Sequence, residues 1–238
     1  MKKWTLSILI TLMTMLSFAA HADELADVNK ALAGIIPNQK PDNVKLSPIP
    51  GLYEVTYGSD IFYVSKDGRY VIQGDVIDTS QHKNITELQR AAERIKLVSA
   101  LDEKDMVVFS PKEVKHTITV FADVDCQYCR KMHKEVAELN KAGIKVRYLA
   151  FPRTGIDTPS YYKMVSVWCA KDRNSAITKA EADEPIEEKT CTNPVKQHLA
   201  VAKKLGITGT PTLLFEDGQL VPGYIPAAQL IKALDEQG

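Results

Sequence analysis

The spacing of hydrophobic positions changes period several times along the chain, and each change marks an element. Leu25, Val28 and Leu32 recur at helical spacing, and the stretch "IPNQKPDNVKLSPIPG" behind them reads as a Pro-rich connector. The period then falls to two. "LYEVTYGSDIFYVSKDGRYVIQGDVIDTS" alternates apolar and polar residues and is broken by turn signals at Gly58-Ser59-Asp60 and Lys66-Asp67-Gly68. This pattern predicts a small antiparallel sheet. Ile85, Leu88, Ala92, Ile95 and Val98 restore helical spacing, with Asn84 as N-cap and Glu87 three residues later in a capping-box variant. Such a helix could belong to a core or act as a spacer. Glu87, Arg90, Glu93 and Arg94 predict a wet face, which favours a linker over residues 84–102.

From Met106 onwards, strands and helices alternate. "HTITVFADV" reads as a buried strand, "CRKMHKEVAELNKAG" as a helix stopped by Gly143, and "IKVRYLAFP" as a second strand. A charged helical section carrying Cys169 and Cys191 follows, then the hairpin "TPTLLFEDGQLVPGY" and a closing helix, "PAAQLIKALDEQ". The order β-CxxC-α-β, helical insertion, TP-β-β, α is the thioredoxin order. The expected architecture is an α+β N-terminal domain (23–83) whose unpaired sheet edge is available to a second copy, a linker helix (84–102), and an α/β thioredoxin-fold domain with a helical insertion (103–238).

The first residues change the chemical setting. Lys2 and Lys3 form a charged start, Leu6 to Phe18 a short apolar run rich in Ser and Thr, and Ala20-His21-Ala22 an A-x-A site. This predicts a secretory signal peptide over 1–22, because the run is shorter than the roughly 20 apolar residues of a membrane span. Export places the remaining chain in an oxidising compartment. Cleavage leaves 30 acidic residues against 28 Lys and Arg, a formal charge of about −2. That balance argues against nucleic acid as a partner.

The four cysteines are too few to staple a miniprotein, so each pair needs its own explanation. Cys126 and Cys129 form a CxxC where strand gives way to helix. A zinc site would need four ligands with closely spaced pairs, which Cys169 and Cys191 do not complete, and His133 lies on a helix committed elsewhere. A structural Cys126–Cys129 bond would close almost no loop and constrain the unfolded chain weakly. The redox reading fits better. A helix N-terminus lowers a thiol pKa, which makes Cys126 the nucleophile and Cys129 the resolving thiol. Asp123 and Asp125 should oppose that thiolate. Thr210-Pro211 precedes a strand, where a proline either opens the strand or forms a cis bond. A cis Pro211 would face the cysteine pair, and the backbone beside Thr210 could pair with an extended substrate. Cys169 and Cys191 flank a polar loop, and a bridge across it would stabilise by roughly 3 kcal/mol in the chain-entropy model, a structural role. Trp168 reads as core. No cofactor or metal is expected, and the histidines show no ligand or triad spacing.

The segments "DGRYVIQG", "ITVFADVDCQYC", "VRYLAFPR", "WCAKD", "GTPTLL" and "LVPGY" together resemble the DsbC/DsbG family of bacterial periplasmic thiol:disulfide isomerases over essentially the whole exported length. The resemblance makes the N-terminal domain a dimerisation domain and implies a V-shaped homodimer that acts on misfolded disulfide-containing exported proteins. It also implies re-reduction by a membrane electron donor of DsbD type. It maps catalysis onto Cys126 and Cys129, the cis-proline onto Pro211 and the structural bridge onto Cys169 and Cys191. Two positions depart from pattern. The inner, redox-tuning dipeptide is Gln127-Tyr128, where the isomerase has Gly-Tyr. Val120 stands where ordinary thioredoxins carry a buried Asp, so proton transfer to the resolving thiol must find another route. Gly74 in "VIQGDV" reads as a strand glycine at a subunit contact. The function expected is isomerisation of wrong disulfides. The rival readings are a DsbG-like reductase protecting single cysteines, a dithiol oxidase, and a holdase chaperone without redox turnover.

Overall fold

The computed structural model describes residues 26–236, so Leu25 and the signal-peptide reading lie outside the described residues. The chain divides into two compact units, 1–89 and 90–238.

In the first unit, a helix over residues 26–35 (α1) is followed by four antiparallel strands in sheet order β1-β2-β3-β4. These are β1 (Asn43–Leu46), β2 (Leu52–Tyr57), β3 (Asp60–Ser65) and β4 (Val71–Ile72). Strand β1 lies inside the stretch expected to be a connector. Pro41 and Pro48 bracket a run short enough to serve as an edge, where half of the backbone groups need no ladder partner. Val28 and Leu32 of α1 pack against Tyr53, Val55 and Val64, the inward positions of β2 and β3. Gly68 turns the chain into β4 at φ +66°, and a Cβ there would stand 2.6 Å from the Asp27 carbonyl oxygen. No side chain fits that approach.

Gly74 is not a strand residue, in contrast to the pattern reading. It lies in a bend between β4 and β5 (Ile77–Asp78), which pairs with β6 (Lys83–Asn84). The glycine-aspartate pair interrupts the alternation and lets the chain leave the sheet edge after Ile72. Thr86 then fastens the segment: its hydroxyl meets the Tyr63 hydroxyl at 2.6 Å and accepts the Val76 amide at 2.8 Å.

Helix α2 (Ile85–Ser99) opens as its capping signal predicts, with the Glu87 amide donating to the Asn84 side chain at 2.9 Å. The boundary between the two units falls inside this helix. Its faces are not distributed as the pattern suggests: Glu93 is buried and ion-paired to Lys96, while Leu88 and Ile95 stay exposed.

The second unit carries a five-stranded sheet ordered β11-β10-β8-β9-β7. Its strands are β7 (Val107–Phe109), β8 (His116–Ala122), β9 (Ile144–Ala150), β10 (Thr212–Leu214) and β11 (Leu220–Pro222). Only β8 and β9 are parallel, and α3 (Gln127–His133) and α4 (Val136–Lys141) form the crossover that a parallel pair requires. Alternate residues of β8 serve opposite faces. Ile118, Val120 and Ala122 join a core with Met132, Leu139 and Leu230, while Phe121 joins Val98, Leu199 and Ala202 on the other side. The remaining helices are α5 (Pro159–Trp168) and α6 (Arg173–Glu181) of the insertion, α7 (Val195–Lys204) and α8 (Ala227–Asp235).

The single helix expected after the CxxC is two helices. They part at Lys134-Glu135, where Glu135 leaves helical register and its carboxylate accepts the Ala227 amide at 2.8 Å and the Tyr224 hydroxyl at 2.6 Å. That carboxylate satisfies an orphan donor at the start of α8, which has no side-chain cap of its own.

Candidate active site

Strand β8 is buried from Ile118 through Ala122 and is followed by Asp-Val-Asp, which delivers Cys126 to the N-cap of α3 with an extended backbone. The Cys126 amide donates to the Asp123 carbonyl at 2.9 Å, closing the turn that carries the sulfur to the helix start. Both thiols are reduced and buried, whereas Gln127 and Tyr128 between them face solvent.

The two sulfurs have opposite electrostatics. Cys126 is drawn down from 9.0 to about 5, first by the Cys129 thiol donating to its sulfur. Burial opposes this, and the Thr210 side chain with the Cys129 and Tyr128 amides favours the thiolate again. The Thr210 hydroxyl is buried and makes no hydrogen bond among the described residues, so the amides are the firmer contribution. The same sulfur lies 3.2 Å from the Thr210 carbonyl oxygen, to which it can donate when protonated. Cys129 is pushed far above the ordinary thiol value by its bond to Cys126, by burial, and by the charge of Glu181. The peptide joining Thr210 to Pro211 is cis, and Pro211 is buried directly before β10.

The aspartates flanking the pair are matched by cations that the sequence pattern did not single out. Asp123 is fully buried and accepts from the Asp125 amide, the Ser160 hydroxyl, and the Arg153 amide and side chain. Asp125 meets Lys163 at 2.6 Å and Arg130 at 3.6 Å. The expected opposition to the Cys126 thiolate is therefore largely neutralised where it arises. In the sequence these cations run from Arg130 to Lys163, and only folding brings them together.

Behind the pair, His133 bonds Tyr148 at 3.1 Å and Thr178 at 3.0 Å, and burial holds it neutral, down at about 4. Glu181, the last residue of α6, was also not singled out. One signal for it was legible: it falls four residues after Ile177, on the buried stripe of its helix.

Cys169 and Cys191 are bridged, with Cα atoms 5.7 Å apart. Trp168 beside them is core, its indole donating to the Asp105 carbonyl at 2.7 Å. Gly74 lies in the other compact unit, and a Cβ on it would meet nothing within 4 Å. Tyr70, Ile72 and Ile77 around it are exposed.

Two family models match: a disulfide bond isomerase protein N-terminal domain over residues 18–87 and a thioredoxin-like domain over 103–238. The thiol:disulfide interchange protein DsbC of Escherichia coli (strain K12) is 36% identical over 228 residues, covering 96% of this chain and 94% of the relative. Its counterpart in Haemophilus influenzae is 37% identical over 196 residues, covering 81% of this chain and 83% of the relative. Among solved structures, a disulfide interchange protein from Neisseria gonorrhoeae aligns with a TM-score of 0.52 at 26% identity, over 57% of this chain and 97% of its own.

Proposed function

The chain belongs to the DsbC family of thiol:disulfide interchange proteins, and on that premise we propose that it is an exported, homodimeric disulfide isomerase working through Cys126 and Cys129. The observation that carries this reading is the placement of Cys126 at the N-cap of α3, its sulfur 3.2 Å from the carbonyl oxygen that precedes cis Pro211, with Cys129 buried behind it. Cys126, near 5, is a thiolate at neutral pH, and Cys129 remains a thiol. The thiolate attacks a wrong disulfide, forming a Cys126–substrate bond and releasing the other substrate sulfur as a thiolate. That sulfur can attack elsewhere in the substrate, returning Cys126 as a thiolate with no net redox change. Where it does not, Cys129 attacks the Cys126 sulfur, the reduced substrate leaves, and the enzyme is left oxidised. A periplasmic enzyme then needs an electron donor at the membrane, of DsbD type.

The cis Thr210-Pro211 segment lies against the attacking sulfur, and the backbone beside half-buried Thr210 suits pairing with an extended substrate strand. The Tyr128 amide favours the Cys126 thiolate, and the Gln127 and Tyr128 side chains face solvent where a substrate approaches. The Cys169–Cys191 bridge holds the insertion and takes no part in exchange. Subunit contact is assigned to the sheet edge around Gly74, where Tyr70, Ile72 and Ile77 leave apolar surface uncovered. The periplasm follows from the predicted signal peptide.

Reactivation of scrambled ribonuclease tests the reading. Cys126→Ser abolishes it, and Cys129→Ser accumulates mixed disulfides recoverable on non-reducing gels. Equal loss without adducts in the second variant would mean that the attacking sulfur is misassigned.

A further inference from the structure

Val120 occupies the strand position from which a carboxyl could serve the resolving thiol, and it is fully buried among apolar residues. The chain supplies a carboxyl from elsewhere. Glu181 closes α6, is 2% exposed, and among the described residues neither of its oxygens has a hydrogen-bond partner. A buried carboxyl bonded to nothing is expensive, and a structural role would have supplied donors. Its charge instead acts on Cys129 and on Tyr148, and the Cys126 charge acts on it. It lines a half-open groove of about 350 Å³ with Arg130, His133, Lys134 and Thr178, which gives protons a path towards solvent.

We propose that Glu181 is the proton acceptor for Cys129 when a mixed disulfide is resolved, a role resting on the proposed function above. In the mixed disulfide, Cys126 is bonded to a substrate sulfur and carries no charge. Glu181, as carboxylate, takes the proton of the Cys129 thiol. The Cys129 sulfur forms a bond to the Cys126 sulfur, the Cys126–substrate bond breaks, and its electron pair leaves on the substrate as thiolate. One negative charge enters on the carboxylate and one departs on the substrate. The two enzyme sulfurs are oxidised, and the substrate sulfur is reduced. Glu181 then passes its proton to solvent.

The surrounding charges make the switch follow the redox state. In the dithiol form, burial and then the Cys126 thiolate lift Glu181 from 4.5 to about 9, so it stays protonated. Loss of the thiolate on forming the mixed disulfide removes one of those causes, and ionisation becomes easier. From the neighbouring elements, Arg130 favours the carboxylate, Asp123 and Asp125 disfavour it, and Asp183 is already paired with Arg130 at 2.8 Å. His133 is neutral, and Lys134 lines the groove. No bond fixes the carboxyl, so none is lost when it turns towards Cys129.

The test uses dithiobis-nitrobenzoate on the full-length reduced protein. Attack by Cys126 releases one coloured thiolate, and resolution by Cys129 releases a second that needs no proton to leave. Glu181→Gln keeps the first release and slows the second on the order of 100-fold near neutral pH, converging on wild type above about pH 9 where hydroxide serves as base. Glu181→Asp restores part of the rate. Glu181→Met replaces the Gln variant if that one does not fold, with the same expectation. A second release as fast as wild type across the pH range, or slowed equally at every pH, overturns the inference and leaves the role of Cys126 intact. Failure of the first release in wild type would instead overturn the proposed function.

Discussion

Removing the Cys129 thiol while leaving the fold in place isolates the main cause of the low Cys126 value. The drop from 9.0 to about 5 is a strong preference for thiolate over thiol. An ordinary thiol is about 1% ionised at neutral pH, whereas this one is about 99% ionised. The Cys129 donor is the largest contribution. If Cys129→Ala removes about half of that drop, the midpoint rises to about 7 and alkylation by iodoacetamide near pH 6 slows about ten-fold. Cys129→Ser retains an O–H donor and should lie between alanine and wild type. The stability of the reduced protein follows the same direction. A depressed pKa stabilises the fold fully above the unfolded value of 9.0, and the benefit declines as pH falls through about 5. The assay is the alkylation rate, or thiolate absorbance, against pH. A Cys126 midpoint still near 5 in the alanine variant would refute the assignment and move the cause to the Tyr128 amide and the Thr210 side chain.

Cys169→Ala with Cys191→Ala opens a loop of sequence separation 22 and should cost roughly 3 kcal/mol in the chain-entropy model, read as a lower melting temperature. Thiol exchange should persist at equal dithiol content, and its loss from a folded double variant would sink the structural assignment. Gly74→Lys puts a charge among Tyr70, Ile72 and Ile77 without a clash in the subunit itself, so sedimentation should show a split dimer with its thioredoxin-fold unit intact and ribonuclease reactivation reduced. Wild-type protein that sediments as a monomer at micromolar concentration would remove the dimer from the mechanism.

What could be read from the sequence follows the range of the interactions involved. The CxxC at a strand–helix junction, the capping box at Asn84 and the hairpin turns are local signals. They appear where expected, because a few adjacent residues dictate them. Strand β1 was hidden because an edge of four residues, only one of them turned inward, barely differs from a Pro-rich connector. The break at Glu135 was hidden because its cause, the start of α8, lies some 90 residues away. The site divides along the same line. Both sulfurs were evident, while Arg153, Lys163 and Glu181 became neighbours only through folding. A single buried Glu on an otherwise apolar stripe was the one readable trace among them.

The Asp123 carboxylate has a consequence for where the chain can change length. It joins the end of β8, the turn after β9 through Arg153, and the first turn of α5 through Ser160. A residue gained or lost between Phe151 and Ser160 would shift at least one of these donors off a buried acceptor and disturb the turn that aims Cys126. Between Ala182 and Thr190 the chain is free of helix and strand and ends at a covalent anchor, Cys191. Insertions and deletions there would be absorbed before reaching the cysteines. Homologues should therefore vary in length on the far side of the insertion and keep constant spacing from Asp123 to Ser160.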